Sequence, residues 1–303
     1  MYKAKLLRHF LIFLTIFVLM KPLLVIFHLF YPDQLNWFLE KLSNINGCQW
    51  DLIVTCPPKS KETKEAILSL KPNTVFHDTE NVGYDIWPFF SALKTIDIED
   101  YSCIVKLHTK KPNFNRTIHL GGLRLRGYKW RDVMVNAFLK DSGRFSKAMK
   151  IMEDNPKVGM ICSRELYTGL DFQEDKEALD LEMERMGLNT PERRFCVGTI
   201  MLLRAEVLSS FPLSKISASM FPQESESDSG GTIAHVYERI LSLLAPAGGY
   251  SVCTLSSVPG YELRMKIRGM VKPVGTFIFN IDREGPERVK YLTVFGIKIK
   301  LAR

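Results

Sequence analysis

The chain has 303 residues, 46% of them hydrophobic and 24% charged, which supplies a sizeable core and excludes a compositionally disordered chain. Its net charge of +8 is unevenly spread. Residues 1–22 carry four cations and no acid, residues 261–303 carry ten cations and four acids, and residues 23–260 carry 27 cations against 29 acids. A near-neutral body with basic ends argues against a nucleic-acid groove and fits an acidic membrane surface better.

Three segments are expected: a hydrophobic basic N-terminal segment over 1–22, one α/β domain over 23–260, and a basic C-terminal tail over 261–303. Phe10–Met20 is an eleven-residue run, apolar except for Thr15, behind a cationic start. Lys21-Pro22 follows where a signal peptide would have its small-residue cleavage site. The run is too short to cross ~30 Å of hydrocarbon unless Leu23–Tyr31 is added to it. It reads as an interfacial or core-packed helix, with a transmembrane span as the rival.

Strand-like and helical runs then alternate. Leu24–Tyr31 reads as a strand, Asp33–Ser43 as a helix, Asp51–Cys56 as a strand, Lys59–Leu70 as a helix, Thr74–Asp78 as a strand, Ile86–Ile96 as a helix and Ser102–His108 as a strand. Helices follow over Trp130–Leu139 and Gly143–Asn155, then a strand at Val158–Cys162, a helix ending near Met186 and a strand at Phe195–Leu203. The last helix of the body is Thr232–Leu244, and Val289–Arg303 alternates apolar and basic residues with a break at Gly296. That tail reads as an edge hairpin guarded by lysines or as a membrane-surface contact. The alternation predicts β-α-β units and a largely parallel sheet covered by helices, with ligands beyond the carboxyl ends of the strands. The six cysteines form no C-x-x-C and lie mostly in or beside apolar runs, as small buried hydrophobes do in a reducing compartment.

Three clusters carry candidate chemistry. Lys106–Arg131 holds eight Lys and Arg, His108 and His119, and no acid. It begins where a core strand ends, and its cations are interleaved with Gly121-Gly122, Tyr128 and Trp130. A solvated face or a phosphate subsite explains such a run. The second cluster, Glu80–Asp85, opens a helix, as a structural turn or as a binding loop. In the third, His235, Glu238 and Arg239 share one helical face with Gly231-Thr232 at its start. Glu238 and Asp228 are the best available general bases. The six histidines make no close pair, and neither D-x-D nor H-E-x-x-H follows a strand.

The ordered motifs ENVGYDIWPFFSAL (80–93), KLHTKK (106–111), GYKWRD (127–132), FCVGTIMLLRAEVL (195–208) and GGTIAHVYERI (230–240) resemble the rhamnan synthesis protein F family of bacterial polysaccharide glycosyltransferases. The resemblance implies a GT-A-like fold and an inverting transfer of rhamnose or a related deoxysugar. The donor would be a nucleoside-diphosphate sugar such as dTDP-rhamnose, and the acceptor a lipid-linked glycan at the cytoplasmic face of the membrane. By that resemblance Asn81, Gly83 and Asp85 lie at the nucleotide or sugar. Gly198, Thr199, Thr232 and Arg239 lie at the acceptor region, and Glu238, Asp228 or His235 serve as base or orienter.

His108-Thr109-Lys110 stands where a GT-A enzyme carries its metal-binding D-x-D. The diphosphate is therefore expected to meet Lys106, His108, Thr109, Lys110 and Lys111, aided by Arg124, Arg126 and Arg131, without a cofactor. Mg²⁺ or Mn²⁺ is the alternative. Two departures from the family pattern, Tyr84 where Arg is frequent and Gly230 where Asp is frequent, leave a non-catalytic assembly subunit as the second reading.

Overall fold

The computed structural model of the chain describes residues 21–55, 60–169, 176–221, 232–267, 279–284 and 289–300. The apolar run Phe10–Met20, Cys56 and Asp228 lie outside them. The chain divides into two compact units, residues 1–257 and residues 258–303.

The first unit is built on strands β1 (Leu23–His28), β2 (Trp50–Thr55), β3 (Val75–His77), β4 (Cys103–His108), β7 (Val158–Ser163), β10 (Met201–Arg204) and β11 (Ser251–Leu255). Their order across the sheet is β11-β7-β10-β4-β1-β2-β3. Every neighbouring pair is parallel except at β10, which runs antiparallel to both β4 and β7. The mixed α/β architecture with a mostly parallel central sheet is the one that the alternation of strand and helix predicts. Every residue of β1 and of β4 is buried, as both-face coverage of a parallel sheet requires.

Helices α1 (Leu35–Leu42), α2 (Lys61–Leu70), α3 (Ile86–Leu93), α4 (Lys129–Leu139), α5 (Ser142–Asp154), α6 (Lys176–Met186), α7 (Glu206–Ser209) and α8 (Ile233–Ala247) complete the unit. Local chemistry sets several of their starts. The Ser60 hydroxyl accepts from the Thr63 N–H at the head of α2, and the Asp141 carboxylate accepts from the Arg144 N–H at the head of α5. An aromatic cluster fixes α3 against α8: the Tyr237 ring meets Phe90 edge-on at 5.4 Å and Phe221 at 5.8 Å. Cys103, Cys162 and Cys196 are buried, and the five described cysteines are free thiols.

Two expectations need correction. The single strand expected over Phe195–Leu203 is two, β9 (Arg194–Cys196) and β10, separated by a turn at Gly198-Thr199. β9 pairs with β8 (Tyr167–Gly169) outside the main sheet. No strand is expected across the basic run after β4. That run folds into the hairpin β5 (Asn113–Leu120) and β6 (Leu123–Gly127), turning at Gly121-Gly122.

The second unit contains an antiparallel meander of β12 (Phe279–Glu284), β13 (Val289–Val294) and β14 (Ile297–Lys300). Phe295 and Gly296 both adopt positive φ in the two-residue turn joining β13 to β14, the geometry that matches hairpin twist. Among the described residues no helix is long and apolar enough to cross a membrane.

Candidate functional site

The chain winds from β1 to β2 and β3 on one side of the sheet and then crosses to β4 on the other. The carboxyl ends of β1 and β4 therefore flank a topological switch point, where open α/β sheets bind ligands. His28 and His108 are the last residues of these strands and lie opposite one another in register. Just beyond them the Thr109 hydroxyl accepts from the N–H groups of Phe30 and Tyr31, at 3.0 and 2.9 Å. Thr109 thereby ties the two strand ends together and has its side chain committed to backbone.

At the rim a buried charge network joins three segments. The Lys106 ammonium, 1% exposed, is ion-paired with the Asp85 carboxylate and donates to the Thr199 hydroxyl at 2.8 Å. Thr199 Oγ1 donates in turn to Asp85 at 2.8 Å. Burial alone would raise the Asp85 carboxyl. The charges of His108 and Lys106 and the hydrogen bonds from Lys106 and Thr199 outweigh it and hold the group well below the usual carboxylate range.

His108 is enclosed beside them. Its Nδ1 faces the Thr109 carbonyl at 3.0 Å and its Nε2 the Gly198 carbonyl at 2.5 Å, with Asp85 3.9 Å from Nε2. Burial lowers the His108 pKa and Asp85 pulls it back up. His28, bonded through Nδ1 to the Thr55 hydroxyl at 3.0 Å, is pushed down to about 3, by burial above all.

The Gly198-Thr199 turn is gripped from both sides. The Gly198 N–H donates to Glu238 Oε1 at 2.6 Å, while its carbonyl meets His108. Gly198 has φ +92°, and a Cβ there would stand 2.5 Å from Met134 Sδ and 3.2 Å from Trp130 Nε1. Thr199, a β-branched residue, has φ +50°. Tyr84, next to Asp85, has φ +52°, with its ring edge-on to His235 at 5.9 Å. Two non-glycine residues in the left-handed region at one rim concentrate backbone strain where the charges converge.

Lys110 follows Thr109 and is half-buried, its ammonium 4.1 Å from the centre of the Trp130 ring. Burial pushes its pKa down, Glu238 and Asp85 pull it up, and Lys106 pushes it down again. The Trp130 indole N–H is buried with no hydrogen-bond partner among the described residues. Among those residues no group of three or more His, Cys, Asp and Glu side chains stands ready to hold a metal ion.

With this rim in place the whole-chain similarity becomes informative. Residues 15–250 match the family model Rhamnan synthesis protein F. The chain belongs to that family. Rhamnan synthesis protein F membership links it to polysaccharide synthesis and to a glycosyltransferase-related role. Two strains of Xanthomonas campestris pv. campestris carry similar proteins named "Uncharacterized protein WxcX", 28% and 27% identical over 240 residues, or 78% of this chain. The matched region is 33% of those proteins, so the chain spans about a third of the curated relatives it matches. A solved structure described as a mycobacterial protein covers 92% of this chain, and 86% of its own chain is covered, at 13% identity and a TM-score of 0.41.

Of the residues that this family resemblance singled out, Asp85, Lys106, His108, Lys110, Gly198, Thr199 and Glu238 come together at the rim. His235 lies one turn before Glu238 on α8, with Nδ1 bonded to the Thr232 hydroxyl at 2.9 Å. Arg239 points elsewhere, donating to the His235 carbonyl at 2.6 Å and lying over Phe195. Asn81 and Lys111 are exposed, and Gly83 is buried against Phe221.

Arg124 and Arg126 are exposed on the β5–β6 hairpin, and Arg126 Nε donates to the Phe114 carbonyl at 3.2 Å. Arg131 is buried in a cradle of its own. It stacks between Trp37 and Tyr128, is bidentate to Asp132 Oδ1 and is within 3.3 Å of Gln34 Oε1. Gln34, Trp130 and Met134 complete the surroundings without having stood out in the sequence.

Proposed function

We propose that this chain is a metal-independent, inverting glycosyltransferase of GT-A type. It takes a nucleoside-diphosphate donor, with dTDP-rhamnose or a related deoxysugar nucleotide favoured, and extends a lipid-linked surface glycan at the cytoplasmic face of the membrane. The observation that carries this reading is the placement of Lys110 at the switch-point rim, its side-chain nitrogen 4.1 Å from the centre of the Trp130 ring and beside an internally neutralised Asp85–Lys106 pair. Lys106 is committed to Asp85 and His108 to two carbonyls. Among the described residues Lys110 is thus the rim lysine placed to meet a leaving diphosphate, with Lys111 following it. The two rim carboxylates are already engaged, Asp85 by Lys106 and Thr199 and Glu238 by the Gly198 N–H, and the neighbouring lysines disfavour a divalent cation beside them.

In this mechanism the acceptor hydroxyl attacks the anomeric carbon as its proton passes to a base. The bond from that carbon to the diphosphate breaks, and the nucleoside diphosphate leaves on the opposite face. Glu238 is the base, oriented by the Gly198 N–H through Oε1 and using its other oxygen. His235 positions the acceptor. Asp228, the other carboxylate considered, lies outside the described residues.

Calorimetry of the purified chain with dTDP, UDP, GDP and CMP under chelator tests the donor side. Selective binding of one nucleotide, weakened about tenfold or more in Lys110→Ala, is expected. Binding and transfer that require Mn²⁺ would overturn the metal-independent mechanism. Glu238→Gln should lower turnover about 10²–10⁴-fold with nucleotide binding retained. Unchanged turnover would remove Glu238 from the role.

A further inference from the structure

Among the described residues, eleven large apolar side chains are exposed, and six of them belong to the second unit: Leu263, Met265, Ile267, Phe295, Ile297 and Ile299. That unit is 46 of 303 residues, so the concentration is not the scatter of single apolar residues found on any surface. Phe295 and Ile297 are 65% and 67% exposed, so most of each side chain is uncovered among the described residues.

Cations are interleaved with them in both elements. Arg264 and Lys266 alternate with Leu263, Met265 and Ile267 on helical residues 261–267. Lys298 and Lys300 alternate with Ile297 and Ile299 on the edge strand β14. In the meander Ile297 pairs with Val294 and Ile299 with Leu292, so one face of these two strands is aliphatic. The other face carries Lys298 paired with Thr293, and Lys300 paired with Tyr291. Three strands with a hydrophobic face are the least that such a meander needs for independent stability, and here Ile297 and Ile299 leave that face exposed.

We propose that the C-terminal unit is a docking surface for an anionic bilayer. Its exposed apolar side chains enter the headgroup–acyl boundary, and its Lys and Arg side chains reach the acidic headgroups along their flexible stems. Charge selects this occupant over a second copy: with ten cations against four acids over 261–303, two copies of the segment repel one another. The same composition is complementary to a negatively charged lipid surface. This inference rests on residues 258–303 and not on the transfer site, so it stands or falls independently of the proposed reaction.

The test is co-sedimentation of the full chain with vesicles of phosphatidylcholine alone and with about 30 mol% phosphatidylglycerol added. Expected is partition onto the acidic vesicles that weakens as salt rises. Lys298→Gln with Lys300→Gln should weaken it about 25-fold, from roughly fivefold per charge near the surface. Ile297→Ser with Ile299→Ser should weaken it at least about tenfold. Lys61→Gln with Lys64→Gln, on α2 in the other unit, should leave it unchanged.

The substituted side chains are exposed, and an unchanged near-ultraviolet circular dichroism spectrum confirms the fold of each variant. Equal partition onto neutral and acidic vesicles would overturn the proposal. So would wild-type partition in both C-terminal variants, which would assign any binding to another part of the chain. Concentration-dependent dimerisation abolished by Ile297→Ser/Ile299→Ser, without lipid binding, would give the face to a second copy and overturn it as well.

Discussion

Replacing Lys106 with Met removes the ammonium that is ion-paired with the Asp85 carboxylate. The Lys106 side chain is 1% exposed and that of Asp85 17%, so water screens the pair poorly. Breaking a buried pair at one partner costs about 3–5 kcal/mol, because the other charge is left desolvated. The Thr199 hydroxyl and the ring of Phe89, 5.4 Å from the ammonium, also lose their contact. In guanidinium, at a slope of about 4 kcal/mol per molar, the unfolding midpoint should fall by about 1 M.

The sign of the pH dependence is specific. In the parent chain Asp85 is held below its ordinary range, so its contribution is complete above about pH 4 and is lost as pH falls through the folded value. Without Lys106, burial raises the carboxyl instead. Protonation of Asp85, or of His108 at 3.9 Å, then relieves the buried charge, so the deficit shrinks between pH 7 and 5. Adding Asp85→Asn should recover about 2 kcal/mol or more of the loss at pH 7. A deficit under about 1 kcal/mol, or one that the second substitution leaves unaltered, would refute the account of this network.

His28, neutral in the fold with a pKa of about 3 against an ordinary 6.5, contributes stability that is complete above pH 6.5 and declines as pH falls toward 3. His28→Asn should flatten unfolding free energy against pH between 4 and 6 by about 1.4 kcal/mol per unit, one proton's worth, as read by denaturant titration. Gly198→Ala combines a left-handed φ with a Cβ 2.5 Å from Met134 Sδ. It should cost about 2 kcal/mol or more in thermal unfolding, and adding Met134→Ala should restore the steric part but not the backbone part. At Gly121 a Cβ would stand 1.6 Å from the Glu165 carbonyl oxygen, backbone against backbone. Gly121→Ala should therefore unseat the β5–β6 hairpin, with rapid amide exchange in β5 and β6, and unchanged exchange would show that the turn is not anchored there.

The central strands were legible because both-face burial demands continuous apolar runs, and LLVIFH and CIVKLH supply them. The rim was half legible: a lysine and a histidine closing an apolar strand stand out against the cost of burying charge. Their mutual neutralisation was not legible, since Asp85 and Thr199 reach Lys106 from 21 and 93 residues away. The strand break at Gly198-Thr199 was hidden because Phe195–Leu203 is apolar on both sides of it. Only the dipeptide's positive φ values, a consequence of tertiary grip, separate β9 from β10. In NFNRTIHL the apolar residues Phe114, Ile118 and Leu120 fall at alternate positions, but Arg116 interrupts the series within a run dominated by cations, which masked β5. Arg131 resembled a phosphate ligand in sequence, yet its acid is the very next residue and its platform is Trp37 on α1.

The direction of β10 explains why a site forms at this rim. A parallel strand beside β4 would bring its own carboxyl end there and leave its entry turn on the far side of the sheet. β10 runs the other way, and its first residue, Met201, lies opposite Lys106, near the end of β4. The turn feeding β10 therefore arrives level with His108, which meets the Gly198 carbonyl while the Thr199 hydroxyl meets Asp85 and Lys106. Such a turn would relax if it were not held from outside, since Thr199 disfavours its own φ. α8 holds it through Glu238 on the Gly198 N–H. The neighbouring Tyr237 is fixed in its turn by its hydrogen bond to Glu182 and by Arg185, which donates to Glu182 at 2.6 Å and to the Tyr237 hydroxyl at 2.9 Å. The strained turn, the carboxylate and the rim lysines are thus set by one mechanical chain from α6 through α8 to β4, and loosening any link displaces the groups the proposed transfer needs together.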